Sequence, residues 1–98
     1  MKRLRLLPEA RVEYFAAIDW YEERRHGLGA KFFEQVRRSF DQIRETPQRY
    51  PAVYLDVRKL RLKGLPYVVL YQSFEDEILV ISVFHTSRNP DEWKSRLS

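Results

Sequence analysis

The chain has 98 residues, of which 44% are hydrophobic, 14% aromatic and 33% charged, and none is cysteine. This length suits one domain with one hydrophobic core, residues 1–98, and the composition excludes a disordered, collagen-like or linker segment. It also excludes a disulfide framework and a thiolate nucleophile. With only His26 and His85 as imidazoles, and no phosphate or dinucleotide motif, we expect neither a metal nor a cofactor.

Charge and hydropathy indicate in which compartment the protein works and what kind of partner it binds. Its apolar stretches are far shorter than the ~18 to 20 residues of a membrane span, and charges interrupt the N-terminus where a signal peptide is apolar. We therefore expect a cytoplasmic protein with no membrane contact. The net charge is +4, and residues 44–67 hold six basic and two acidic side chains. This excess favours a polyanionic partner, nucleic acid or an acidic protein segment, or is a solvated face that binds nothing.

The first half of the chain predicts a strand and a helical hairpin. Leucine and arginine alternate over 2–7, which is the period-2 pattern of a half-buried strand. Apolar residues then recur at three- and four-residue steps, predicting one helix over 9–25 and a second over 29–45. Two glycines in 25–29 supply a helix end and a tight turn, so the helices are expected to be antiparallel neighbours.

The second half predicts a three-stranded antiparallel meander over 57–63, 66–73 and 78–84, with a bulge or register change near Arg58 and Lys59. The last strand is apolar on both faces, so we place it inside the sheet. The order β-α-α-β-β-β predicts an α+β fold in which the helical hairpin packs on one face of an antiparallel sheet.

The densest positive cluster lies in the first strand of the meander and comprises Arg58, Lys59, Arg61 and Lys63. On a strand, Lys59, Arg61 and Lys63 project from one face while the leucines between them enter the core. Such a row fits nucleic-acid phosphates or an acidic peptide. The alternative is an edge strand kept soluble by its charges.

Tyr67 and Tyr71 stand four residues apart on the next strand and so share a face, with Val69 between them. Aromatics interleaved with cations form a stacking platform for single-stranded nucleic acid. The alternative is that both rings belong to the core and only their hydroxyls reach the rim.

His85 ends the last strand and Arg88 follows it. A histidine there can act as an acid or base near neutral pH, and Arg88 can stabilise phosphate charge. The alternative is a structural, hydrogen-bonded histidine.

Four strings together resemble the RelE/ParE superfamily of bacterial type II toxins: VRKLRLKGLPYVVLY (57–71), ILVISVFHTSRNPDEW (78–93), AIDWYEERRHGLGAKFFEQV (17–36) and ETPQRYP (45–51). The last two are similar to the ParE branch. The resemblance implies a toxin that a cognate antitoxin neutralises, through a disordered tail that folds on the toxin in a possible hetero-oligomer. It makes the following residues candidates for binding the target or antitoxin: Arg58, Lys59, Arg61, Lys63, Tyr67 and Tyr71.

The superfamily contains gyrase poisons, similar to ParE, and ribosome-dependent mRNA endonucleases, similar to RelE. In the second reading the partners are the ribosome and mRNA, and the catalytic candidates are His85, Arg61, Lys59 and Arg88. However, Val68 stands where the nuclease branch carries an arginine, and Trp93 stands roughly where some members carry a catalytic tyrosine. The sequence therefore favours a DNA gyrase poison, with the nuclease and a degenerate module without potent activity as alternatives.

Overall fold

A helical hairpin lies against one face of a five-stranded sheet in the structure, a computed structural model that describes residues 1–97. The elements, in chain order, are β1 (Arg3–Leu6), α1 (Pro8–Arg24), α2 (Leu28–Glu45), a 3-10 turn (Pro47–Arg49), β2 (Ala52–Tyr54), β3 (Val57–Arg61), β4 (Tyr67–Ser73), β5 (Glu77–His85) and α3 (Asp91–Lys94). Across residues 1–97, no helix combines the length and apolarity needed to span a bilayer.

The sheet has the strand order β1-β5-β4-β3-β2. Strands β3, β4 and β5 form the predicted antiparallel meander, and β5 lies inside the sheet as expected. β1 pairs with β5 in parallel, so the sheet is mixed where an antiparallel one was predicted. The α+β prediction is confirmed.

The predicted register change near Arg58 is confirmed on the ladder between β2 and β3. Ala52 is paired with Arg58 and Tyr54 with Val57, so two steps along β2 lie opposite one step along β3. Val57 belongs to the apolar cluster on one face of the sheet and Leu60 to the cluster on the other, so β3 buries apolar side chains on both faces. The chain turns between β2 and β3 at residues 55–56. Leu55 takes a positive φ of 51° in that turn, and its side chain is exposed. A second ladder irregularity lies between Leu70 and Tyr71 of β4.

One apolar cluster lies on each face of the sheet. The helix-side core joins α1 and α2 to the inner sheet face through residues including Tyr14, Phe32, Val36, Phe40, Ile43, Leu60, Leu62, Val69, Tyr71, Val80 and Val83. The outer core lies on the opposite face and comprises Val57, Val68, Leu70, Ile81, Phe84 and Trp93. The C-terminal segment therefore covers part of the face that the helices leave open.

The turn between the helices is fixed by one carboxylate. Glu22 accepts hydrogen bonds from the N–H groups of Gly27 (3.0 and 3.1 Å) and Gly29 (3.0 Å), which are donors that the start of α2 leaves unpaired. Gly27 has a positive φ of 93°. A Cβ on Gly29 would approach the carbonyl oxygen of Ile18 to 2.8 Å, so the helices meet there backbone to backbone.

Acid is expected to destabilise the fold through this turn. The N–H groups of Gly27 and Gly29 lower the pKa of Glu22 below its ordinary value of 4.5. A carboxylate with a depressed folded-state pKa contributes its stability above the unfolded value and loses it as the pH falls through the folded one. Urea unfolding at steps from pH 6 to pH 3 should show stability falling below about pH 4.5.

Glu22→Gln should flatten part of that decline, and Glu23→Gln, an exposed neighbour, should leave it unchanged. Equal pH profiles for the wild type and Glu22→Gln would contradict the prediction.

Candidate functional site

Lys59 and Arg61 lie on the outer face of the sheet, away from the helical hairpin. Their cross-strand neighbours on β4 are Leu70 and Val68, both members of the outer core. Both cationic side chains are exposed, whereas Leu60 between them is buried on the helix side, as the alternation predicted. Lys63 is also exposed but lies beyond the end of β3, in the turn that leads to β4.

Arg58, the fourth residue of the positive cluster, lies on the other face of the strand, in agreement with the alternation. Its position along β3 has the opposite parity, and it is paired with Tyr71 on the helix side. Its guanidinium donates to the carbonyl oxygen of Tyr50 (2.6 Å) and to the side-chain oxygen of Gln48 (2.7 Å). Arg58 therefore fastens the loop before β2 to the sheet.

The structure favours the second of the two alternatives for Tyr67 and Tyr71, in which both rings belong to the core. Both rings lie in or against the helix-side core, on the opposite face from Lys59 and Arg61. Tyr71 is fully buried, its hydroxyl donates to the carbonyl oxygen of Pro47 (2.6 Å), and burial raises its pKa to about 12. Its ring is therefore part of the core, and its hydroxyl anchors the loop after α2.

His85, Arg88 and Tyr67 meet at a cavity of about 400 Å³ between α1 and the ends of β4 and β5. Tyr67 is the cross-strand neighbour of His85, and their ring centres lie 5.0 Å apart. Nδ1 of His85 accepts the backbone N–H of Ser87 (3.1 Å), which leaves Nε2 as the protonated nitrogen of the neutral ring. Arg88 pairs with Glu92.

Trp20 and Glu13 line the same cavity, and neither was predicted to. Trp20 is 49% exposed and lies under the Arg24 guanidinium, at 4.1 Å. Glu13 could have been noticed because it stands three residues after Ala10 and four before Ala17, both on the buried face of α1. A carboxylate at this position of α1 points toward the sheet, as Ala10 and Ala17 do.

The four nuclease candidates therefore occupy two places. His85 and Arg88 line the cavity beside α1, and Lys59 and Arg61 project from the other face of the sheet. The structure brings each pair together but does not unite the two pairs around one point.

The family model of the ParE toxin of type II toxin–antitoxin systems (parDE) matches residues 4–90. The chain belongs to the ParE toxin family. The structure of the chromosomal ParDE TA system from P. aeruginosa matches this ParE-family toxin with a TM-score of 0.63 and 20% identity, over 87% of this chain and 96% of that one. The isolated E. coli RelE toxin matches with a TM-score of 0.67 and 20% identity, over 98% and 96%. A search of curated proteins gives no significant match.

These likenesses confirm the predicted superfamily and its α+β fold, and they identify the chain as a toxin of the type II class. Two positions of this ParE-family toxin bear on its chemistry. Val68 is buried in the outer core beside Arg61, where it offers no hydrogen-bond donor. Trp93 is also buried there, and its ring is packed against Tyr54.

Proposed function

We propose that this toxin binds DNA gyrase and traps the enzyme on cleaved DNA, and that a cognate antitoxin neutralises it. The observation that best supports this proposal is that the sheet separates His85 and Arg88 from Lys59 and Arg61. Cleavage of RNA by attack of its own 2′-hydroxyl needs proton transfer and charge stabilisation around one phosphate. The separation of the two pairs therefore supports action by protein contact.

Val68 and Trp93 support the same proposal. A valine in the outer core cannot stabilise developing phosphate charge, and an indole N–H is a donor that cannot serve as an acid in place of a tyrosine hydroxyl. The match to the ParE family points in the same direction.

The solvent face of α1 offers a surface for contact with a protein target. Val12, Phe15 and Trp20 are 69%, 48% and 49% exposed, so this helix carries large apolar side chains on its outer face as well as its inner one. Contiguous exposed apolar patches mark protein interaction sites, and Val12 and Phe15, three residues apart, are neighbours on this helix. Gyrase contact through α1 would not require a reacting group.

The proposal is tested with purified toxin, purified gyrase and relaxed plasmid. We expect supercoiling to be inhibited and cleaved DNA to accumulate as toxin is added. His85→Ala should inhibit equally, because the imidazole takes no part in bond chemistry. Addition of purified antitoxin at an equimolar amount should restore supercoiling.

A parallel translation assay examines the nuclease alternative in the same toxin preparation. The ribosome would replace gyrase as the target if three results were obtained together. Gyrase would keep full activity, mRNA would be cut in the ribosomal A site, and Arg61→Ala would abolish the cutting. Normal growth of cells that express the toxin without a partner would indicate a module without potent activity.

A further inference from the structure

The cavity between α1 and the ends of β4 and β5 has aromatic walls, which are formed by Trp20, Tyr21, Tyr67 and His85. Tyr21 meets Trp20 edge to face, with ring centres 5.1 Å apart. Tyr67 meets His85 in the same way at 5.0 Å. The volume of about 400 Å³ is typical of sites that bind small molecules. The walls therefore suit a ligand with a planar ring.

Two phenol hydroxyls at this cavity, those of Tyr21 and Tyr67, have no hydrogen-bond partner within residues 1–97. By contrast, the hydroxyls of Tyr14 and Tyr71 donate to backbone carbonyl oxygens at 2.9 and 2.6 Å. No fully buried side-chain oxygen in the same part of the chain is unpaired, so the two free hydroxyls reach solvent. The cavity is the solvent space that both residues line. Its walls thus offer two hydroxyl donors to a ligand.

A guanidinium lies close to these hydroxyls. The pKa of Tyr67 is raised above its ordinary value of 10.0, mainly by burial and then by Tyr21, whereas the positive charge of Arg88 lowers it. Arg88 lines the same cavity and uses one nitrogen, Nη2, in its pair with Glu92. A guanidinium has five N–H groups. Arg88 can therefore donate to a ligand while it keeps that pair.

The charges around the cavity favour an anion. Arg88 is one of the lining residues, and the guanidinium of Arg24 lies over the ring of Trp20 at 4.1 Å. The carboxylate that lines the cavity, Glu13, is already paired with Arg96 at 2.8 Å. Aromatic walls also bind cations. Here, however, the two guanidinium groups would repel a cationic ligand.

We propose that this cavity binds a small aromatic carboxylate. The ring packs against Trp20 and Tyr67, and the carboxylate accepts hydrogen bonds from the two phenol hydroxyls and from Arg88. A carboxylate has two oxygens with about four acceptor positions, which these donors can fill. A phosphate dianion fits less well, because Arg88 is the one guanidinium among the lining residues. This inference does not rest on gyrase as the target.

Three indoles test the charge of the ligand. Indole-3-acetate, tryptophol and tryptamine carry the same ring on a two-carbon side chain that ends in an anion, a neutral hydroxyl and a cation. Each is titrated into isotope-labelled toxin, and amide chemical shifts report the affinity and the place of binding. We expect indole-3-acetate to bind about tenfold more tightly than the other two, with the largest shifts at the residues that line the cavity.

Tyr67→Phe tests the donors. It keeps the ring and removes one hydroxyl that has no partner in the protein, so the variant should fold as the wild type does. We expect it to bind indole-3-acetate about tenfold more weakly and tryptophol with little change. Arg88→Gln should weaken indole-3-acetate at least as much. Tyr54→Phe is the matched control, because it removes a phenol hydroxyl beside Trp93 in the outer core and should leave the affinity unchanged.

Several results would overturn the inference. They are equal affinities for the three indoles, no binding of indole-3-acetate at millimolar concentration, and wild-type affinity in Tyr67→Phe. Adenosine monophosphate serves as the phosphate probe, and tighter binding of it than of indole-3-acetate would overturn the carboxylate as the ligand. None of these results depends on the gyrase assay.

Discussion

Glu13→Ala is expected to lower the free energy of unfolding by about 3 to 5 kcal/mol, because it strips a buried guanidinium of its partner. Glu13 and Arg96 are joined by two short contacts (2.8 and 2.9 Å), and their side chains are only 10% and 12% exposed. The carboxylate also raises the pKa of Arg96 further above its ordinary value. Without Glu13, the guanidinium charge of Arg96 would remain buried, with little contact with water and no ionic partner.

The ion pair also completes the edge of the sheet. β1 ends opposite Val80, so the next part of β5 has no strand on that side within the described residues. Glu13 accepts the N–H of Val83 (3.3 Å) and the hydroxyl of Ser82 (2.8 Å). Arg96 donates to the carbonyl oxygen of Ile81 (3.0 Å). Glu13→Ala thus also leaves buried donors unpaired, at a further cost.

Urea unfolding followed by far-UV circular dichroism measures this loss. Glu34→Ala is the matched control, since Glu34 is paired with Arg37 on the surface of α2, where both side chains are more than 40% exposed. An exposed pair contributes below about 1 kcal/mol. A loss for Glu13→Ala no larger than that for Glu34→Ala would show that the pair does not hold the edge.

Trp93→Ala is expected to cost about 3 to 5 kcal/mol, as large aromatic deletions in cores do. Trp93 is 5% exposed and packs in the outer core, with Tyr54 meeting it edge to face at 5.8 Å. The four residues of α3 are too few to form a stable helix alone. The indole therefore holds the C-terminal segment, and with it Arg96, against the sheet.

Trp20→Ala provides the comparison, because Trp20 is 49% exposed on α1. Its loss should be about 1 kcal/mol or less. Denaturation is followed by far-UV circular dichroism, since either change removes a fluorophore. Because Trp93 and Glu13 both secure the C-terminal segment, the double variant should lose less than the sum of the single losses. Similar losses for the two tryptophans would contradict the assignment.

Periodicity predicted the helical hairpin, because each helix buries one stripe, and runs of β-branched and aromatic residues between turn residues predicted the meander. It could not predict that β1 runs parallel to β5, since alternation within a strand carries no information on the direction of its neighbour. The turn at Leu55 was missed for another reason. Leucine is rare at positive φ, so its side chain gives no indication of a turn.

The candidate site was predictable only within single strands. Alternation correctly separated Lys59 and Arg61 from Leu60, and it correctly placed Tyr67 with Tyr71. Alternation could not show which residues of different strands share a face, because that depends on the register between the strands. The observed register places Tyr71 opposite Arg58, on the helix side of the sheet, and not beside Lys59 and Arg61. The binding roles of Lys59, Arg61 and Lys63 stay predictions, and those of His85 and Arg88 belong to the nuclease alternative.

The parallel pairing of β1 with β5 determines when, during synthesis of the chain, the sheet can be completed. β5 lies between β1 and β4, so residues 3–6 find their neighbours only after residues 77–80 have been synthesised. A growing chain on the ribosome can form its helices and the β3–β4 hairpin earlier, but it cannot close the sheet, because contacts so distant in sequence form last. The complete sheet of this ParE-family toxin therefore forms only after most of the chain has been synthesised.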